Sequence, residues 1–194
     1  SSDNLWIGTY QSMSVYNGAS WSTYENVFPY SACCDSEGTL WIGTRRDMMR
    51  YDGAVFQPFL DRTSLLPSNG IYALVRATDG DFWLGTGAGL IVNRDDKWIT
   101  MDTGNYSVSA VIEDTKGDIW AGSKKYFYLN RYDGVAWQRY STQAVSFPYP
   151  AVTFLSPCDS GGVYVNVYTN GGRGGALGRF DGDSWTTITS GTYT

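Results

Sequence analysis

Apolar positions along this chain fall in short runs, "LWIG" from Leu5, "LWIGT" from Leu40, "FWLGT" from Phe82 and "DIWAG" around Trp120. Asp, Asn and Gly clusters such as "YNG", "YDG", "TDG" and "FDG" separate them. No ten-residue stretch places apolar residues at helical spacing, whereas β-branched and aromatic residues flank turns that suit positive φ; the pattern predicts strands joined by hairpins. The runs are also self-similar. The tetrapeptides at Trp6, Trp41, Trp83, Trp120 and, degenerate, Tyr164 lie 35, 42, 37 and 44 residues apart. Each is followed by a second landmark: "VYNGASW", "RYDGAVF", "VNRDDKW", "RYDGVAW" and "RFDGDSW". In four units a glycine (Gly38, Gly80, Gly117, Gly161) stands three residues before the aromatic; in the first unit Asp3 stands there instead.

Each unit therefore reads as four antiparallel strands, and strands apolar on both faces must be covered on both faces. The expected fold is all-β: a five-bladed β-propeller of four-stranded antiparallel blades, with the first blade incomplete at the N-terminus. The whole chain, 1–194, is read as one propeller domain, with blades at approximately 1–24, 28–60, 70–102, 106–141 and 151–190. A five-bladed ring is the reading preferred here, and an arc of a larger propeller is the alternative.

The unit "LLPSNGIYALVRATDGDFWLGTGAGLIV" resembles the two-component regulator propeller repeat in its leucine-proline, acidic glycine turn, Trp-x-Gly-Thr and glycine-leucine. That resemblance implies a β-propeller sensor or binding domain, commonly the periplasmic part of hybrid kinases in glycan-using bacteria. It thus implies a periplasmic or extracellular location. Such sensors usually carry many more repeats, followed by sandwich and kinase regions that are missing from this sequence.

Chemistry narrows the function further. The 194 residues contain no histidine, which removes Ser-His-Asp and Cys-His catalysis and all histidine metal sites. A net charge of −5 argues against nucleic acid, and no apolar run is long enough for membrane insertion. Carboxylates concentrate in the hairpin turns of one face, where turn geometry already explains them, so neither a metal nor any other cofactor is assigned. The glycines of "GTGAG" at Gly85–Gly89 could pass for a phosphate loop, but a strand follows where such a loop needs a helix.

The opposite face has longer loops with aromatics beside cations, a pairing suited to sugars, acidic ones above all. The candidate ligand-binding residues are Tyr30, Arg45, Arg46, Tyr106, Lys124, Tyr126, Tyr149 and Arg173. A gap over Gly87-Ala88-Gly89 is where a ligand is sought. No catalytic residue is assigned. The expected function is a non-catalytic ligand-binding or sensory module for a carbohydrate or other small polar ligand. A protein-interaction scaffold is the alternative, and a polysaccharide lyase or glycosidase a more distant one. Cys33 and Cys34 fall on the inner strand of blade two and Cys158 at a turn of blade five, too far apart for a disulfide; the vicinal pair is expected to be reduced and buried. Non-reducing peptide mapping should find no link from either residue to Cys158.

Overall fold

A computed structural model describes residues 4–59, 70–95, 97–104, 107–123, 128–142, 150–159, 161–169 and 174–192. Its strands form five antiparallel sheets taken in chain order. Blade one has three strands, β1 (Leu5–Gly8), β2 (Ser12–Tyr16) and β3 (Trp21–Glu25). Blade two comprises β4 (Pro29–Cys34), β5 (Leu40–Thr44), β6 (Met48–Tyr51) and β7 (Phe56–Pro58). Blade three comprises β8 (Ile71–Arg76), β9 (Phe82–Thr86), β10 (Gly89–Arg94) and β11 (Lys97–Met101). Blade four holds β12 (Ala110–Glu113), β13 (Ile119–Gly122), β14 (Tyr128–Tyr132) and β15 (Trp137–Ser141); blade five holds β16 (Pro150–Pro157), β17 (Val163–Thr169), β18 (Gly174–Phe180) and β19 (Trp185–Thr192). The expected architecture and the three-stranded first blade are both present.

The turns explain why the units fold alike. Asp35 Oδ1 accepts the backbone N–H groups of Glu37 and Thr39, and Asp35 Oδ2 accepts the indole N–H of Trp41 at 2.8 Å. Asp114 does the same for Lys116, Asp118 and Trp120, again with the indole at 2.8 Å. Gly38 and Gly117 close these turns at φ +81° and +86°, a region costly for a residue with a β-carbon. Blade three has Ala77 in the aspartate's place, and the buried indole N–H of Trp83 has no hydrogen-bond partner among the described residues.

Blades stack through one repeated contact. At three of the four seams the repeat tryptophan meets the aromatic pair at the base of the next blade's outer hairpin; blade three has Asn93 in place of the first ring of that pair, and there Trp41 packs on Phe82 instead. Trp6 lies 4.9 Å from Tyr51 and 5.8 Å from Phe56, and Trp83 lies 5.7 Å from Tyr132 and 6.2 Å from Trp137. Trp120 meets Phe180 at 6.0 Å, while Trp41 meets Phe82 at 4.8 Å. Beside each tryptophan the glycine of Trp-x-Gly lets the next blade's first residues come close. A β-carbon built on Gly43 would stand 2.6 Å from Ile71 Cγ2, one on Gly85 2.9 Å from the Val108 carbonyl oxygen, and one on Gly122 2.7 Å from Val152 Cβ.

Burial follows. Leu40, Phe82, Ile119 and Val163, and two residues on Ile42, Leu84, Ala121 and Val165, face the preceding blade and are all at most 4% exposed. Their counterparts in blade one, Leu5 and Ile7, are 54% and 43% exposed, and Phe154 on the far side of blade five is 61% exposed. Among the described residues the outer faces of the first and last blades therefore do not cover one another.

The cysteine expectation needs one correction. None of the three cysteines is in a disulfide; Cys33 is half-buried, with burial raising its pKa to about 12, and Cys158 is buried, but Cys34 is exposed. Strand β4 alternates inward and outward, so vicinal residues cannot share a face.

The indole contacts predict opposite effects at equivalent positions. Asp114→Ala, which orphans the buried Trp120 N–H, should destabilise by about 1–3 kcal/mol. Ala77→Asp should raise the melting temperature by supplying Trp83 with an acceptor. Calorimetry on the two variants checks both signs.

Candidate functional site

The acidic hairpin face is occupied by its own architecture. Asp52 accepts the N–H groups of Ala54 and Val55, Asp133 those of Val135 and Ala136, and Asp181 those of Asp183 and Ser184. These bonds stabilise the ionised carboxylates and hold the pKa of all three below the ordinary aspartate value. At Asp35 burial pushes upward, but the Trp41 indole and the Thr39 and Glu37 amides outweigh it and the net shift is also downward. Asp118 is tied to Arg131, Nε to Oδ2 at 2.8 Å, and Asp81 is paired with Arg94. Each of these carboxylates has a local structural partner, so this face is a frame.

The opposite face holds a cavity of about 430 Å³ between blades one and two. Its floor comes from the connection between β3 and β4. Asn26 and Phe28 both have left-handed backbone, φ 64° and 51°, an arrangement that side-chain-bearing residues adopt at a cost and that surrounding structure must hold. Between them Val27 is 5% exposed, anchored in the core with Met13, Leu40 and Ile42, and its N–H donates to the Gln11 carbonyl at 3.2 Å. Anchoring Val27 inward leaves Phe28 at the surface, 40% exposed.

One wall is the β5–β6 turn. The buried hydroxyl of Thr44 donates to Asp47 Oδ1 at 2.8 Å and accepts the N–H groups of Arg46 and Asp47, both at 3.1 Å. That closed ring of bonds fixes Arg45 and Arg46 at the tip, and both are exposed. Among the described residues neither guanidinium is ion-paired. The other wall carries Tyr10, 81% exposed, in the equivalent turn of blade one, and Tyr30, 48% exposed, whose ring lies 5.8 Å from that of Tyr72. Three aromatic rings and two cations thus border one concave space, an arrangement able to stack on a flat apolar face and hydrogen-bond an anionic group.

Of the residues expected from sequence, Tyr30, Arg45 and Arg46 come together here. Tyr106, Lys124, Tyr126, Tyr149 and Arg173 lie outside the described residues. Tyr10, Asn26 and Phe28 were not anticipated, although "GTYQS" sets Tyr10 at the repeat position of Arg45 in "GTRRD". The cavity also lies away from the expected gap over Gly87-Ala88-Gly89. There the turn is drawn shut by Thr86, whose hydroxyl donates to the Gly89 carbonyl at 2.9 Å and accepts the Ala88 N–H at 3.2 Å.

Fold and cavity together define a β-propeller with a ligand-sized recess on its loop face. More particularly, residues 23–46 and 65–88 match the family described as Two component regulator propeller. Among solved structures it is similar to a catalytically inactive histidine-to-alanine variant of virginiamycin B lyase from Staphylococcus aureus with quinupristin, at TM-score 0.74 and 11% identity. It is also similar to the extracellular domains of a hybrid two-component system protein (TM-score 0.67, 18% identity) and of a one-component system protein (TM-score 0.71, 24% identity), both from B. thetaiotaomicron. These matches cover 96%, 98% and 95% of this chain but only 66%, 38% and 26% of those chains. No curated protein sequence matches. Among the described residues no helix is long and apolar enough to cross a membrane.

The carboxylate shifts set a pH dependence. Because the folded pKa values lie below the unfolded ones, the unfolded chain takes up protons first on acidification. The stability they contribute is complete above the unfolded value of about 3.9 and drains as pH falls through the lowered folded values. The urea midpoint should therefore drop between about pH 5 and pH 3, and Asp133→Asn, which keeps an acceptor but cannot titrate, should flatten that drop.

Proposed function

We propose that the chain is a non-catalytic ligand-binding module of an extracellular or periplasmic sensor, taking a carbohydrate or similar small polar ligand in the recess between blades one and two. The observation that carries this reading is the cavity itself. A volume of about 430 Å³ lies within the range typical of small-molecule sites, and it is bordered by Tyr10, Phe28 and Tyr30 beside Arg45 and Arg46. Rings favour a pyranose face, and an unpaired fork of donors favours a carboxylate, so a uronic acid suits the recess better than a neutral sugar. The two left-handed residues in the floor hold the recess open before any ligand arrives, which limits the ordering cost of binding.

Catalysis has less support. The lyase neighbour is inactive when a histidine is replaced, and this chain has none. The carboxylates that could serve a hydrolase are engaged in turns. A scaffold role would use the same loop face without needing a recess.

Isothermal titration with glucuronate and galacturonate oligosaccharides, against neutral counterparts, tests the proposal. Binding of the acidic series should weaken at least about tenfold in Arg45→Ala with Arg46→Ala, an effect of loss of a charge-assisted pair, and in Tyr30→Ala, with the melting temperature unchanged. Absence of binding to every saccharide, together with capture of a defined protein partner that the arginine variants lose, would favour the scaffold.

A further inference from the structure

A tyrosine recurs at the base of the outer hairpins. Tyr16, Tyr51 and Tyr132 donate their hydroxyls to the hairpin carbonyls of Gly18, Gly53 and Gly134, at 2.8, 2.9 and 2.9 Å. What that phenol meets across the seam depends on one position in the outer strand of the preceding blade, occupied by Tyr24, Phe59, Met101 and Tyr140 in blades one to four. Phe59 faces a blade with Asn93 in place of the hairpin tyrosine, and its ring lies 6.4 Å from Phe82. Met101 packs in one cluster with Tyr132, and Tyr140 lies 4.6 Å from Phe180, which has no hydroxyl. Among the described residues, only the seam between blades one and two sets hydroxyl against hydroxyl at this position. There Tyr24 and Tyr51 hydrogen-bond directly, with ring centroids 5.3 Å apart and ring planes at 69°.

The surroundings hold this pair in place. Because the Tyr51 hydrogen is given to Gly53, Tyr24 is the donor and the Tyr51 oxygen the acceptor. Tyr24 is fixed in β3 opposite Met13, and Tyr51 in β6 opposite Phe56. Trp6 lies 6.1 Å from Tyr24 and 4.9 Å from Tyr51, and Phe56 lies 5.2 and 5.0 Å from them. Both phenols are half-buried on a core of Met13, Val27, Leu40 and Ile42, so water reaches the pair while its packing stays fixed. Burial and the bond from Tyr24 raise the pKa of Tyr51 to about 12, so near neutral pH this phenol gives up a proton only together with an electron.

We propose that Tyr24 and Tyr51 are an oxidative cross-linking site whose product fastens blade one to blade two. Two equivalents of a one-electron oxidant take one electron from each phenol, and each hydroxyl proton passes to water. The phenoxyl radicals carry spin on the carbons ortho to oxygen. Contact between the two oxygens brings an ortho carbon of each ring together, and holding both partners in place makes their union effectively unimolecular. A carbon–carbon bond forms between those ortho carbons. Each ring then returns the hydrogen of its newly bonded carbon to its own oxygen, which restores two phenols. The net change is the loss of two electrons and two protons, with no atom added. A bond between two such rings leaves them twisted out of coplanarity, which the 69° angle accommodates. The product closes a loop from β3 to β6 across the seam that carries the recess.

Illumination of the 194-residue chain with ruthenium tris(bipyridine) and persulfate supplies the oxidant. The fraction that remains monomeric by size-exclusion chromatography should show dityrosine fluorescence. Its peptide map should contain the Tyr24 peptide joined to the Tyr51 peptide with the loss of two hydrogens. Hydrogen exchange in β1–β3 should be at least about tenfold slower in the linked chain than in the unlinked one, and the urea midpoint higher. Tyr24→Phe and Tyr51→Phe should each abolish the link. Tyr72→Phe should keep it, although it removes the other tyrosine pair, Tyr30–Tyr72 at 5.8 Å. A link mapped to Tyr30–Tyr72 alone, links only between chains, or no dityrosine would overturn the proposal. So would a Tyr24–Tyr51 link that leaves exchange in β1–β3 unchanged. Should a substituted chain not fold, the peptide map and exchange rates of the unsubstituted chain decide alone.

Discussion

Close approach between successive blades is the constraint on which this structure depends. Each blade is a thin sheet that cannot bury both its faces alone, and the next blade can cover one only if its backbone comes within van der Waals distance of the strand carrying the tryptophan. Glycine at Gly43, Gly85 and Gly122 makes the approach possible, and the neighbouring indole fills the space that remains. The aspartate turns serve the same end, since Asp35 and Asp114 set the indole's orientation by holding its N–H. Sheet, turn and seam are consequently not separable contributions, and a change in any of them is felt at the interface.

Much of this was legible in the sequence because repetition samples the same physical environment several times. Trp-x-Gly-Thr, the Asp-x-x-Gly turn and the outer hairpin recur at nearly constant spacing, so the blade count and the missing first strand could be read without coordinates. Conformation that belongs to one place only was not legible. Nothing in "YENVFPY" announces left-handed backbone at Asn26 and Phe28, since neither is glycine and the strain is maintained by the burial of Val27 between them. Composition pointed to Tyr30, Arg45 and Arg46 as aromatics and cations of one face, but their meeting depends on the short connection from blade one to blade two. The small residues at Gly87-Ala88-Gly89 misled for a related reason: lack of side chains does not make a cavity when a hydroxyl such as that of Thr86 can draw the turn closed.

Departures from the repeat are as informative as the repeat. Ala77 removes one acceptor and leaves Trp83 buried without a partner, Asp95 takes the positive φ of 50° that glycine takes in other outer hairpins, and Asn166 replaces the glycine of the seam. The first is a cost carried within the stack, the second is a local substitution with the same backbone outcome, and the third changes what the blade can contact.

The recess between blades one and two has a mechanical meaning that its lining residues do not reveal singly. Among the described residues blade one meets blade two across a single seam, and the recess lies on that seam. Its Tyr10 stands on one bank of the recess and Arg45 and Arg46 on the other. A molecule touching both banks adds its binding free energy to the junction between blades one and two and works as a clasp, converting its own concentration into the fraction of time the two blades stay seated on each other.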